Sequence, residues 1–214
     1  MLTPILISVS LMLIAYILGS IPTGYLIGKW TQGIDIREFG SGSIGATNVL
    51  RTLGKGPGSA VLGFDMFKGM VAVGLVKAFY LLFPDTLPLD WYFWLMTGAA
   101  VSAVIGHSKS IFLGFSGGKS VATSLGVLLI MSPLVALGTL VSFLVMLAIF
   151  RIVSLGSITG AIVVNLLMIV LNQPLPYILF AAFAGSYVVI RHKANIARLL
   201  TGQEPKIGEK LSEG

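Results

Sequence analysis

No cysteine occurs in the chain, which excludes disulfides, zinc–thiolate centres and cysteine nucleophiles. Charge is scarce as well: only 10% of the residues are Asp, Glu, Lys or Arg, against about 25% in a soluble domain. A chain this poor in charge cannot present a solvated surface on all sides. Acidic residues are the rarest of the charged set, 8 against 14 basic, and there are two histidines. No histidine is followed five residues on by Asp, since His107 meets Phe112 and His192 meets Ala197. The His-x4-Asp pattern of thioester-dependent acyltransfer is therefore unmatched. No Asp-rich motif for a metal-dependent lipid transferase is present, and Asp35 with Glu38 is too thin a set for Mg²⁺. No metal or cofactor is expected. No Ser-His-Asp grouping can be assembled either.

What is abundant is apolar sequence. Hydrophobic residues make up 56% of 214, and mean hydropathy is +0.96. A membrane-crossing helix needs about 20 mostly apolar residues, and by that rule spans fall near 4–28, 58–83, 91–107, 118–131, 133–150, 153–171 and 175–191. Met1–Leu18 lacks the basic start of a secretory signal and is expected to stay as the first span. The boundary between the fourth and fifth spans rests on Ser132-Pro133, because proline biases the preceding residue away from helix. Fusing the two would give six spans.

Charge chooses between six and seven. Lys68 and Lys77 lie within the second span. With seven spans the other twelve basic residues, Lys29, Arg37, Arg51, Lys55, Lys109, Lys119, Arg151, Arg191, Lys193, Arg198, Lys206 and Lys210, share one face. The opposite loops hold Asp85, Asp90 and neutral residues. The positive-inside rule thus predicts an all-α bundle of seven transmembrane helices in one domain, 1–214, with the N-terminus outside and the C-terminus cytoplasmic. The same rule explains the +6 net charge without nucleic acid as a partner. Three polar segments, about 39–51, 106–123 and 191–204, then gather at the cytoplasmic mouth.

Gly117-Gly118-Lys119-Ser120, at the start of the apolar run Val121–Met131, is the sharpest of these. Glycines bring backbone N–H groups close to a ligand, a helix N-terminus favours anions, and Lys119 adds full charge. A phosphate or carboxylate cradle follows; the plainer alternative is that the glycines only permit tight helix packing. A Walker A loop is excluded, because Gly114 leaves three residues before Gly118-Lys119-Ser120 where four are needed, and no strand precedes it. Gly40-x-Gly42-x-x-Gly45 mimics a dinucleotide fingerprint, but a transmembrane span stands where the strand should be. Its content is a flexible loop with Ser41, Thr47 and Asn48 as polar groups and Arg51 as an anion fork.

Asp65 and Lys68 lie one turn apart on one helix face, either as a site or as a self-satisfied ion pair. His107 closes the third span and can reach the mouth with Lys109. His192 and Asn195, three residues apart, share a face where a histidine can move protons near neutral pH. Arg191 is expected to anchor lipid headgroups, Arg151 to serve as a positive-inside anchor, and Asn165 to join helices.

These segments together carry a resemblance. Gly40-Ser41-Gly42…Ile44-Gly45-Ala46-Thr47-Asn48…Arg51, Gly106-His107…Gly117-Gly118-Lys119…Val121-Ala122-Thr123 and Arg191-His192…Asn195-Ile196…Arg198-Leu199-Leu200…Gly202…Glu204 resemble the three motifs of the bacterial acyl-phosphate:glycerol-3-phosphate acyltransferases. Asp65…Lys68-Gly69 is also similar. The chain departs at Ser43, Ser116, Ser120 and Ser108-Lys109-Ser110, where the family usually has Asn, Lys, Gly and a proline-bearing segment.

The resemblance implies a multi-pass protein of the bacterial inner membrane, its site facing the cytoplasm. It would transfer a fatty acyl group from acyl phosphate to the 1-hydroxyl of sn-glycerol 3-phosphate, giving lysophosphatidic acid and phosphate in phospholipid synthesis. Catalytic roles would fall to Ser41, Arg51, Lys119, His192 and Asn195. Substrate binding would fall to Gly40, Gly42, Thr47, Asn48, Gly117, Gly118 and His107, and structural roles to Asp65, Lys68 and Glu204. A monomer is expected. The rival class is a small transporter of an organic phosphate, disfavoured because the polar groups cluster at one end without repeated halves around a midplane site.

Overall fold

The computed structural model describes residues 2–209, so Lys210 lies outside the described residues. Among the described residues are ten α-helices: α1 (Leu2–Ser20), α2 (Thr23–Gln32), α3 (Ala46–Leu53), α4 (Lys55–Leu82), α5 (Tyr92–Ser108), α6 (Val121–Met131), α7 (Pro133–Phe150), α8 (Val153–Val170), α9 (Leu175–Arg191) and α10 (Lys193–Leu200). The one β pairing found among them is the Ser110–Ser116 bridge that closes a loop. The all-α expectation holds.

Proline sets the breaks. The first span, expected as one piece, is two helices parted at Ile21–Pro22, since Pro22 has no N–H to give and disfavours helix at Ile21. At this break the Ile21 carbonyl accepts the Thr23 N–H at 3.1 Å and Lys68 Nζ at 2.9 Å, which gives the buried lysine of α4 a partner. At Ser132 the chain turns extended (φ −152°, ψ 90°) and Pro133 opens α7, so the fourth and fifth apolar segments are separate helices.

Their lengths differ from expectation. Among the described residues, five segments are long and apolar enough to cross a membrane: Leu2–Gln32, α4, Leu89–Ser108, α7 and α8. A sixth arises if α9 and α10, bent by 59° at His192, count as one. The helix α6 has 11 residues, about 16 Å at 1.5 Å per residue, and falls short of a hydrocarbon core of about 30 Å.

The helices bury small residues inward and turn large apolar ones outward. Leu81, Leu134, Val170 and Phe64 are all exposed. Inside, Gly69 of α4 lies against the Thr123 carbonyl of α6, and Gly126 of α6 against that of Met66, so these two backbones touch with no room for a Cβ. That contact fixes α6, and therefore the loop before it, onto the main bundle. A separate apolar cluster of Ile36, Ile44, Val49 and Val61 seats the 39–45 loop on α3 and α4.

Candidate functional site

The first loop is shaped by one side chain. Asn48, at the start of α3 and 2% exposed, donates Nδ2 to the carbonyls of Ile36 (3.1 Å), Phe39 (3.0 Å) and Ser43 (2.9 Å). Its Oδ1 accepts from the Ser41 N–H at 3.0 Å. Two amide hydrogens are thus shared among three carbonyls, and the oxygen is also engaged. Gly40 and Gly42 have φ of +58° and +66°, the left-handed turn that lets the loop wrap this amide. Asn48 therefore braces the loop, while Ser41, Thr47 and Arg51 are held towards the cavity behind it. Arg51 Nη2 donates to the Pro205 carbonyl at 3.1 Å. Burial lowers the Arg51 pKa and the charge of Glu204 opposes the shift; the group stays cationic.

The second loop is shaped from outside itself. It passes Gly114 and Phe115 at positive φ, then Ser120 at φ +61°. Gly118 lies on the end of α5: its N–H donates to the His107 carbonyl at 3.2 Å, and a Cβ there would strike His107 Nε2. A cradle built from the N–H groups of Gly117 and Gly118 is therefore corrected in part, because the Gly118 N–H is spent on His107. What faces the cavity instead is the N-terminus of α6, through Val121 and Ala122, with no side-chain cap on it. Arg191 also departs from the lipid-anchor expectation. Its Nη2 donates to the carbonyls of Gly117 and Gly118, at 3.2 Å each, clamping the loop from the end of α9. Beneath the loop, Ser120 Oγ lies 2.8 Å from the Val104 carbonyl and 2.7 Å from Ser108 Oγ, which in turn reaches the Gly118 carbonyl at 2.9 Å.

The third segment supplies the densest polar group. His192 sits at the break between α9 and α10, with Nδ1 2.7 Å from the Val188 carbonyl. A carbonyl only accepts, so Nδ1 carries the proton and the Nε2 lone pair is left for chemistry. Burial first, and the nearby charge of Lys119 second, push the His192 pKa down to about 4, so the ring is neutral at pH 7. Asn195 receives Lys119 Nζ on its Oδ1 and donates Nδ2 to Glu204 Oε1 at 2.6 Å. Glu204 also accepts Ser154 Oγ at 2.8 Å and Arg198 Nε at 2.7 Å. Burial alone would raise the Glu204 carboxyl, but the hydrogen bonds from Asn195, Ser154 and Arg198 outweigh it and hold the pKa below its usual value. Burial lowers Lys119 to about 8, partly offset by the charge of Glu204.

Further in, Asp65 Oδ1 gathers Thr23 Oγ1 (2.5 Å), Lys68 Nζ (2.8 Å) and His107 Nδ1 (3.4 Å). This buried ion pair ties the α1–α2 break to α4 and α5, and Asp65 and His107 also touch the cavity. Arg151 is more than an anchor: it exchanges hydrogen bonds with Ile207, Nη2 to carbonyl at 3.2 Å and N–H to carbonyl at 2.7 Å. Asn165 makes its hydrogen bond within α8, Nδ2 to the Ala161 carbonyl at 2.9 Å, and lies against Gly185 of α9, so it joins the helices by packing.

The result is one cavity of about 610 Å³, lined at its mouth by Ser41, Arg51, Lys119, His192, Asn195 and Glu204. Gly40, Gly42, Gly117 and Gly118 are not part of its wall, and neither is Lys68. Ser154 lines it and holds Glu204, a role the sequence reading missed. The available signal was a hydroxyl in the first turn of an apolar helix, just after the Arg151 turn.

Known proteins share this sequence and fold. Residues 9–202 match the family described as glycerol-3-phosphate acyltransferase. A glycerol-3-phosphate acyltransferase of Rippkaea orientalis is 65% identical over 208 residues, covering 97% of this chain and 96% of that protein. One from Synechocystis sp. is 56% identical over 213 residues, covering 99% and 96%. The crystal structure of PlsY (YgiH), an integral membrane glycerol 3-phosphate acyltransferase, in its glycerol 3-phosphate form superimposes with a TM-score of 0.85 at 38% identity, over 94% of this chain and 96% of that one. Its lysophosphatidic acid form gives 0.82 at 37% identity, over 94% and 95%. By sequence and by fold, the chain belongs to the glycerol-3-phosphate acyltransferase family.

Proposed function

We propose that the protein transfers a fatty acyl group from acyl phosphate to the 1-hydroxyl of sn-glycerol 3-phosphate, forming lysophosphatidic acid and phosphate as the first acylation of phospholipid synthesis. The observation that carries this reading is one cavity with two unlike ends. Its mouth holds the cations Arg51 and Lys119 beside a neutral His192, and its far end is walled by Leu128, Val164 and Phe180. Two phosphorylated substrates, one with an acyl tail, need both ends.

In this reading Lys119 turns from Asn195 Oδ1 to the phosphoryl group of the acyl phosphate, helped by the open N-terminus of α6. Ser41, Arg51, His192 and Asn195 hold glycerol 3-phosphate with its hydroxyl aimed at the acyl carbon. The hydroxyl oxygen bonds to the carbonyl carbon, the bond from that carbon to the phosphate oxygen breaks, and phosphate leaves with the electron pair. The hydroxyl proton passes to His192 Nε2 or to a substrate phosphate. An acyl phosphate is a mixed anhydride with a good leaving group, so positioning and charge do most of the work.

The proposed setting is the bacterial inner membrane, crossed seven times with α6 as a short span, and the protein acting as a monomer. An odd number of crossings keeps the basic residues on the cytoplasmic side with the site. The test is purified protein in detergent, given glycerol 3-phosphate with either palmitoyl phosphate or palmitoyl-CoA. Lysophosphatidic acid from palmitoyl phosphate alone is expected; product from the CoA ester alone would overturn the donor.

A further inference from the structure

The cavity has a floor as well as a mouth. On α8 its wall runs from Val153 to Val164, a rise of about 16 Å, and stops although the helix continues to Val170. On α9 it begins at Phe180, although the helix starts at Leu175, and on α7 it begins at Thr139. Past those points Met131, Val135, Met168 and Tyr177 are buried in the same apolar core as Phe180, and none of them touches the cavity. The tube is kept open by small residues, Gly156, Gly160, Ala181 and Ala184 among them, and is then met by a large ring.

Its side opening is near the mouth. Leu62 and Leu144 both line the cavity and are 46% and 49% exposed, each about two turns from its helix's loop end. Deeper in, Leu128, Val164 and Phe180 are 4%, 5% and 1% exposed. A tail entering past Leu62 and Leu144 therefore meets a closed end.

We propose that Phe180, with Val164 beside it, is the end stop that sets the longest acyl chain the protein accepts, and that Gly160 keeps the tube open one turn before it. The proposal rests on the acyltransferase reading above. A chain too long for the tube must leave terminal methylenes outside, and each buried methylene is worth about fourfold in discrimination.

Two variants and a series of acyl phosphates from lauroyl to stearoyl test this. Phe180→Ala removes the stop and is expected to move the optimum to longer chains, with the stearoyl-to-myristoyl rate ratio rising about fourfold or more. Gly160→Ala is the second variant, in case the first fails to fold. A Cβ there meets Thr139 Cγ2 at 3.4 Å and no backbone closer than 3.8 Å, so it fits while narrowing the tube. It is expected to shift the optimum to shorter chains. Profiles that superimpose on the unsubstituted protein's would overturn the end stop and mean that the tail leaves sideways. If acyl phosphates give no turnover at all, the acyl-phosphate donor reading falls instead. The end stop is then read from thermal stabilisation by lysophosphatidic acids of the same chain lengths, where Phe180→Ala should favour the longer ones and an unchanged order would overturn it.

Discussion

The two glycine-rich loops look alike in sequence and are built in opposite ways. The loop at 40–45 is braced locally, by Asn48 gathering carbonyls from 5 to 12 residues away. The loop at 114–120 is held by two other helices: the end of α5 beneath it, 10 to 16 residues back, and Arg191 of α9 above it, 73 and 74 residues on. The first carries its own shape. The second takes its shape from the packing of α5 and α9, so its integrity reports on the bundle. Similar composition therefore predicts different sensitivity to the same substitution.

The largest expected effect lies at the charge the second loop presents. Lys119→Ala should lower kcat by about 10²–10³, the usual loss for one preorganised donor; near-full activity would remove Lys119 from the mechanism. The pH profile sharpens this. Lys119 must be protonated, and its pKa is lowered to about 8, so kcat/KM should fall as pH rises through about 8. His192 must be neutral, and its pKa is lowered to about 4, so its limb appears only as pH falls towards about 4. Lys119→Arg, cationic at every accessible pH, should abolish the alkaline limb; a limb that persists belongs to another group.

Next come alanines in the two loops. Gly118→Ala drives a Cβ into the buried His107 ring and should cost about 1–3 kcal/mol or more. In the first loop, Gly45→Ala meets nothing nearer than Ser43 Oγ at 3.5 Å, at an ordinary φ of −74°, and should stay within about 0.5 kcal/mol. Thermal melts in detergent compare them, and equal losses would break the contrast. Asn48→Ala should destabilise by about 1–3 kcal/mol, because it strips partners from backbone groups under the first loop. A melt unmoved from the unsubstituted protein's would mean that the loop holds itself.

An effect confined to the second loop is expected at Arg191. Arg191→Gln removes the clamp on Gly117 and Gly118 and should cost about 1.5–3 kcal/mol of loop stability, the net worth of a hydrogen bond from a charged group. Hydrogen exchange over 114–120 should rise while exchange over 40–45 stays level. A rise in both loops would show that they are coupled.

The residue types settled several matters before any coordinates. Low charge, the length of the apolar runs and proline at Pro133 determined an all-helical chain with separate fourth and fifth segments, because hydropathy and backbone sterics act locally. Three motifs in order were specific enough to indicate the family and to mark the residues that now line the mouth. Tertiary structure decided the rest. Arg191 looked like a lipid anchor because nothing in its neighbourhood shows that the carbonyls of a loop over 70 residues away lie within its reach. The Gly118 N–H looked available because its partner, the His107 carbonyl, is supplied by another helix end. Ser154 passed unnoticed for the same reason, its acceptor being Glu204, 50 residues on. Sequence determines which groups a segment offers and the local shape it prefers. Which donor meets which acceptor depends on how helices pack, and that is a property of the whole bundle.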